Sequence, residues 1–201
     1  MSVIVGIAKD DEVYMGCDAQ ITNNGTKIIT YQKENFKIWH PEENEALIVG
    51  TSGTVRESNI VRSLGNVIDE KDILNSKVNI ESISTKTLRK IIKGLQDNDA
   101  IKDDKPITLN NQYLIAYKGS LYQMGTDGSV IRIDDFGVIG SGAYEATSIL
   151  SNNKEMNPDK RIIEAIKASI TNDIHCDYPI ILTNTKATEL KIIDREGVKY
   201  E

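Results

Sequence analysis

The 201-residue sequence predicts a layered α+β fold, with antiparallel sheets and helices packed outside them. Segments with strand composition and segments with helical periodicity come in blocks, in the order strands, two helices, strands, two helices, strands. That order lacks the regular β-α alternation of a doubly wound parallel sheet. The strand segments are short, rich in β-branched residues and bounded by turns, which favours hairpins. With 39% hydrophobic and 27% charged residues the chain can bury a substantial core. No internal repeat, low-complexity tract or linker divides it, so residues 1–201 are expected to form one domain.

The first strands are Val3 to Ala8 and Val13 to Cys17, joined through Lys9-Asp10-Asp11-Glu12 as a hairpin. Asn35 to Trp39 and Ala46 to Val49 flank a turn at Pro41-Glu42-Glu43-Asn44, so residues 3–50 read mostly as sheet. The period then changes. Val55, Ile60, Val61, Leu64, Val67 and Ile68 recur at helical spacings behind Thr54, a suitable N-cap. A second helix is expected from about Thr85 to Gln96, with Leu88, Ile91, Ile92 and Leu95 as its apolar stripe and Ser84 or Thr85 as cap. Asp97 to Lys105 reads as a polar surface loop.

Strands resume at Gln112 to Lys118 and, past a turn at Gly119-Ser120, at Leu121 to Met124. Gly125-Thr126-Asp127-Gly128 reads as a turn, because no Gly-Lys-Ser/Thr follows to make it a phosphate loop. Val130 to Ile133 and Gly137 to Ile139 continue the sheet. Helices follow at Ala143 to about Asn152 and Pro158 to about Asn172, the latter with Asn157 as N-cap and proline at its first position. Ile180 to Thr183 and Glu189 to Ile193 close the chain as strands.

Lys plus Arg number 24 against 30 Asp plus Glu, a net charge of −6 with both signs interspersed. This argues against nucleic acid or an anionic membrane as the main partner. Cys17, Cys176, His40 and His175 supply neither a disulfide framework nor a metal site, and a reducing cytoplasmic setting is the simplest expectation. The apolar stretch Val3 to Ala8 runs straight into charged residues, unlike a secretory signal. No apolar run reaches the roughly 20 residues that span a bilayer.

Ser2 is the most informative position for chemistry. Removal of the initiator methionine would leave its hydroxyl beside a free α-amine, placing nucleophile and base in one residue. Such an amine has a reference pKa of about 7.7–8.0, so an appreciable fraction is neutral and able to take a proton at neutral pH. Asp18 ends the first hairpin. If the loop centres on Asp10, Ser2 faces Asp18; if it centres between Asp10 and Asp11, Val3 does. Val13, Met15 and Cys17 share the apolar face, which makes Cys17 a core residue. His175 and Cys176 are adjacent in sequence, a spacing that rarely has catalytic geometry. Trp39 reads as core or subunit interface.

The chain resembles the proteasome β-subunit family of N-terminal-nucleophile hydrolases. The resemblance rests on Ser2-Val3-Ile4-Val5-Gly6-Ile7, Gly16-Cys17-Asp18-Ala19-Gln20-Ile21-Thr22, Val49-Gly50-Thr51-Ser52-Gly53, Gly140-Ser141-Gly142, and Ala165 to Asp177 leading into Tyr178-Pro179-Ile180-Ile181. It implies a four-layer αββα sandwich in which an N-terminal hydroxyl attacks peptide carbonyls. Ser2 falls at the nucleophile and Asp18 at the supporting aspartate. Thr22 matches a residue that binds substrate backbone, and Gly50 the glycine whose N–H meets the developing oxyanion. Ser141 and Asp173 match the pair that orients the nucleophile and its amine, and Cys176 falls near a further family serine. With residue 3 already read as strand, no N-terminal helical extension of the kind found on non-catalytic α-type ring subunits is expected.

The family also uses a lysine shortly before the third strand, and ungapped alignment puts Glu34 there, with Lys33 beside it. Lys33 could substitute only through a deletion or bulge, because adjacent strand residues face opposite sides. Two functions follow from the resemblance. One is a proteasome-like peptidase with a serine nucleophile, needing no metal or organic cofactor, in a homo-oligomeric ring with a possible ATPase partner. The other is a catalytically inactive ring or scaffold subunit, favoured by Glu34. A small-molecule amidase with the same nucleophile is a third reading.

Overall fold

A computed structural model describes residues 2–102, 106, 108–197 and 199–200. Met1, whose removal is an expectation from the sequence, and residues 103–105 of the expected surface loop lie outside the described residues.

The chain opens with β1 (Ile4–Lys9) and β2 (Glu12–Asp18), paired antiparallel with Ile4 opposite Cys17 and Lys9 opposite Glu12. Asp10 and Asp11 both take positive φ, 52° and 58°, the backbone of a two-residue hairpin turn whose twist suits its strands. This turn selects the register in which Val3 faces Asp18. The Asp18 N–H donates to Val3 O at 3.2 Å. A second hairpin follows in β3 (Gln20–Asn23) and β4 (Thr26–Ile29), which the sequence did not separate from the general run of sheet.

Residues Lys33–Asn35 form a short 3₁₀ turn, so the expected strand from Asn35 shrinks to β5 (Ile38–Trp39), paired with β6 (Leu47–Ser52). Helix α1 (Val55–Ser63) begins behind Thr54, whose hydroxyl accepts the Glu57 N–H. The expected helix to Ile68 stops early because Gly65, at φ +63°, turns the chain; Val67 and Ile68 are buried by packing, outside the helix. Two short helices, α2 (Glu70–Leu74) and α3 (Ile80–Ser82), lead through a π turn at Ile83–Thr87 into α4 (Leu88–Asp97).

The second half holds β7 (Gln112–Tyr117), β8 (Ser120–Met124), β9 (Val130–Ile133) and β10 (Phe136–Ile139). Helices α5 (Ala143–Asn152) and α6 (Pro158–Asn172) follow, and the Asn157 side chain caps α6 as expected. Strands β11 (Ile180–Asn184), β12 (Ala187–Ile193) and β13 (Lys199–Tyr200) complete the order.

One sheet runs β10-β1-β2-β11-β12-β13 and the other β5-β6-β7-β8-β9, with antiparallel pairings throughout. Side-chain alternation creates three apolar layers. Ile4, Met15, Cys17, Ile48, Leu114 and Ile181 fill the space between the sheets. Val3, Val5 and Ile7 turn the other way, onto Ala146, Ile162 and Ile166 of α5 and α6. Tyr113, Ile115 and Tyr117 face Val61, Ile91 and Leu95 of α1 and α4. The result is the four-layer αββα sandwich of two antiparallel sheets between helix layers.

Candidate active site

The site forms where the start of β1, the end of β2, the segment before β5 and the turns before α1 and α5 converge. Ser2 is 5% exposed. Its backbone nitrogen donates to Ser141 Oγ at 3.1 Å, and its carbonyl accepts the Gly142 N–H at 3.1 Å. Gly140 permits this wrapping: at φ +101°, a Cβ there would lie 2.2 Å from Ser2 O. The Ser141 hydroxyl also bonds the Asp173 carboxylate at the C-terminus of α6. Burial pushes the Asp173 carboxyl up. Hydrogen bonds from Ser141, the His175 N–H at 2.9 Å and Cys176 Sγ at 3.5 Å outweigh it and hold the carboxyl below its ordinary value.

Asp18 is fully buried and surrounded by donors. Lys37 Nζ lies 2.6 Å from Oδ1, which also accepts the Val3 N–H at 2.9 Å; Oδ2 accepts the N–H groups of Gln20 at 3.1 Å and Asp177 at 3.3 Å. Burial raises the Asp18 carboxyl above its ordinary value, while Lys37 and the N–H donors oppose the rise. Asp18 therefore reaches Ser2 indirectly, through the N–H of the adjacent Val3, while Lys37, its ion-pair partner, lines the same cleft as Ser2.

Ungapped alignment puts Glu34 at the family lysine; in the structure it is Lys37, not Glu34 or Lys33, that contacts Asp18. Because residues 33–35 form a turn, the residue just before the strand is Lys37, while Lys33 and Glu34 are exposed on the turn itself, where Glu34 lines the cleft. A signal was available: Lys37 interrupts the apolar run Phe36 to Trp39, and a charge in such a run requires a buried partner.

An open cleft lies against these groups, lined by Ser2, Thr22, Lys37, Thr51, Gly53 and Arg62 among others. Thr22 accepts from Gln20 Nε2 at 3.2 Å. Arg62 donates to Phe36 O and stacks 4.3 Å from the centre of the Trp39 ring, which is itself core. Gly50 does not line the cleft. It sits inside β6, opposite Ile38 and Leu114, where a Cβ would meet Met15 Cε at 2.8 Å. Gly53, three residues on, does line it; it is exposed at φ +152°, and its N–H donates to no other described residue.

Cys17 is core, and burial pushes its thiol up to about 12. Cys176 is buried too, its thiol raised by burial and by the nearby Asp18 and Asp173 carboxylates, so neither cysteine is an available thiolate. Among the described residues no group of three or more His, Cys, Asp or Glu could hold a metal ion, and no helix is long and apolar enough to cross a membrane.

Comparison with known proteins agrees with this architecture. The sequence profile of the proteasome subunit family matches residues 2–175. The chain belongs to that family. Among solved structures, BPH from Thiobacillus denitrificans superposes with a TM-score of 0.73 at 14% identity, covering 90% of this chain and 96% of that one. Anbu (ancestral beta-subunit) from Yersinia bercovieri gives 0.69 at 11% identity, over 97% and 88%. The eukaryotic HslV from Trypanosoma brucei gives 0.59 at 15% identity, over 90% and 98%. No curated protein sequence matches.

Proposed function

We propose that this protein is a proteasome-like peptidase whose nucleophile is Ser2, exposed as an N-terminal residue by removal of Met1. One observation carries the reading: Ser141, bonded to Asp173, accepts the Ser2 nitrogen, and Lys37, paired with the buried Asp18, lines the same open cleft as Ser2. The neutral α-amine takes the hydroxyl proton as Ser2 Oγ bonds to the substrate carbonyl carbon. Lys37 favours the developing alkoxide by its charge, and the Gly53 N–H, in place of Gly50, meets the oxyanion. The amine then returns the proton to the leaving nitrogen as the C–N bond breaks, and water hydrolyses the ester by the same route. Thr22 lies where a substrate backbone would run, and Ser141 and Asp173 hold the α-amine.

The alternative of an inactive scaffold draws its support from Glu34, which lines the cleft; a lysine in contact with Asp18 favours the peptidase reading over it. The full proposal takes residues 1–201 as one domain, since β11, β12 and β13 complete the sheet that β1 begins. It places the domain in a cytoplasmic homo-oligomeric ring, with an ATPase as possible partner and peptides or proteins as substrates.

Intact mass of the purified protein reads the state of Met1, and turnover of a fluorogenic peptide library in wild type and Ser2→Ala reads the nucleophile. The expected result is loss of Met1 and abolition of turnover by the substitution. Retained Met1, or equal rates, refutes the mechanism; a monomer in sedimentation refutes the ring.

A further inference from the structure

We propose that Glu57 and Asn111, two buried residues outside the cleft, are positioning residues that hold the Gly53 turn in the geometry needed to receive the oxyanion. The inference rests on the peptidase reading and adds to it the device that sets one half of the site against the other.

Thr54 and Glu57 occupy the N-cap and third positions of α1, the spacing of a capping box in which the glutamate would return to the Thr54 N–H. Here it does not. The Thr54 N–H donates to Asn111 Oδ1 at 2.5 Å, and Asn111 Nδ2 donates to Thr54 O at 3.1 Å and to Ser58 Oγ at 3.0 Å. Released from the box, the Glu57 carboxylate turns inward. It accepts the N–H groups of Asn110 at 3.0 Å and Asn111 at 3.1 Å, and also the Tyr113 hydroxyl. Helix start and loop thus exchange partners across the base of the cleft. Glu57 is 1% exposed and Asn111 0%.

Two contacts extend the network to the cleft wall. Ser58 Oγ pairs with Thr51 Oγ1 at 2.7 Å, and the Thr51 N–H donates to Lys37 O at 2.9 Å, so the same strut reaches the lysine paired with Asp18. A Cβ on Gly53 would lie 2.1 Å from Asn111 Oδ1 and 2.5 Å from Asn110 O. Gly53 is therefore seated directly on the asparagine. Within the turn, the N–H groups of Thr51 and Thr54 are committed to protein acceptors while that of Gly53 is left over. Donors fixed before the substrate arrives act without reorganisation cost, which is the condition under which an oxyanion donor is effective.

The test is steady-state kinetics of Asn111→Ala, with active sites counted by stoichiometric labelling of Ser2 with a peptide fluorophosphonate. Glu57→Gln, which keeps the side-chain volume but turns an amide toward the loop N–H groups, serves as second variant should Asn111→Ala not fold. Loss of one oxyanion donor costs about 10²–10³ in kcat, so a loosened donor should cost at least about tenfold per labelled site. KM should change by less than about threefold, since the interaction is made in the transition state. Affinity for a peptide boronate, whose adduct is tetrahedral, should fall with kcat/KM. An unchanged kcat per labelled site, with Ser2-dependent wild-type turnover, overturns this inference and leaves the peptidase reading standing. Wild-type protein without Ser2-dependent turnover overturns both.

Discussion

Replacing Lys37 by methionine removes the cation paired with a carboxylate that has no exposure at all, while roughly preserving side-chain volume. Breaking a buried ion pair from one side costs about 3–5 kcal/mol. The lower end applies here, because three N–H donors still face Asp18. A ceiling also exists, since the carboxylate can escape by taking up a proton. From an ordinary value of 3.8 that escape costs about 4.4 kcal/mol at pH 7, and about 1.4 kcal/mol less for each unit the pH falls. Lys37→Met is therefore expected to lose about 3 kcal/mol at pH 7 and less than about 2 kcal/mol at pH 5.

The sign follows from linkage: a carboxyl with a raised folded value binds protons in the native state, so the variant regains stability relative to wild type as pH falls. Urea unfolding of both proteins at fixed protein concentration across this range measures the difference. Adding Asp18→Asn should cancel most of the penalty at pH 7. A penalty that does not change with pH, or that persists in the double variant, would refute the claim that an uncompensated Asp18 charge is its source.

Gly140→Ala should be more damaging than Gly25→Ala, although both glycines have positive φ. Gly25 has nothing within 4 Å of a Cβ, so it reports the backbone strain of about 1–3 kcal/mol alone, whereas Gly140 would also push on Ser2 O. Equal urea midpoints for the two variants would contradict the close approach. Asp173→Asn should destabilise the protein at neutral pH. The difference should vanish as pH falls through 3.8 and the lower folded value, because a depressed carboxyl contributes its stability only while ionised. A difference that persists in acid, read from the urea midpoint against pH, would contradict the role of the Ser141, His175 and Cys176 hydrogen bonds.

Much of the architecture was legible because side-chain alternation has a physical cause that acts locally. Val13, Met15 and Cys17 were expected on one apolar face, and all three lie between the sheets. Asn157 and Pro158 marked the start of α6 by their capping chemistry, and Thr54 marked that of α1. Periodicity alone carries α1 too far, because Val67 and Ile68 mimic its period while being buried for another reason. The site residues were legible unevenly. Ser2, Asp18, Ser141 and Asp173 lie in one connected cluster and Thr22 lines the cleft beside it, but strand alignment does not single out Lys37, and Gly50 does not reach the cleft.

The division has a physical basis. Periodicity, capping residues and turn formers act over a few neighbours, so the sequence by itself determined the order of elements, the faces they bury and the layered class. Which lysine meets Asp18, which glycine opens on the cleft and which registry the first hairpin takes depend on one-residue shifts between segments distant in the chain. A shift of one residue turns every side chain of a strand to the opposite face. Only the tertiary structure decided those shifts: the turn at Lys33–Asn35 brings Lys37 to the buried carboxylate, and Asn111, more than fifty residues away along the chain, holds Gly53 at the cleft.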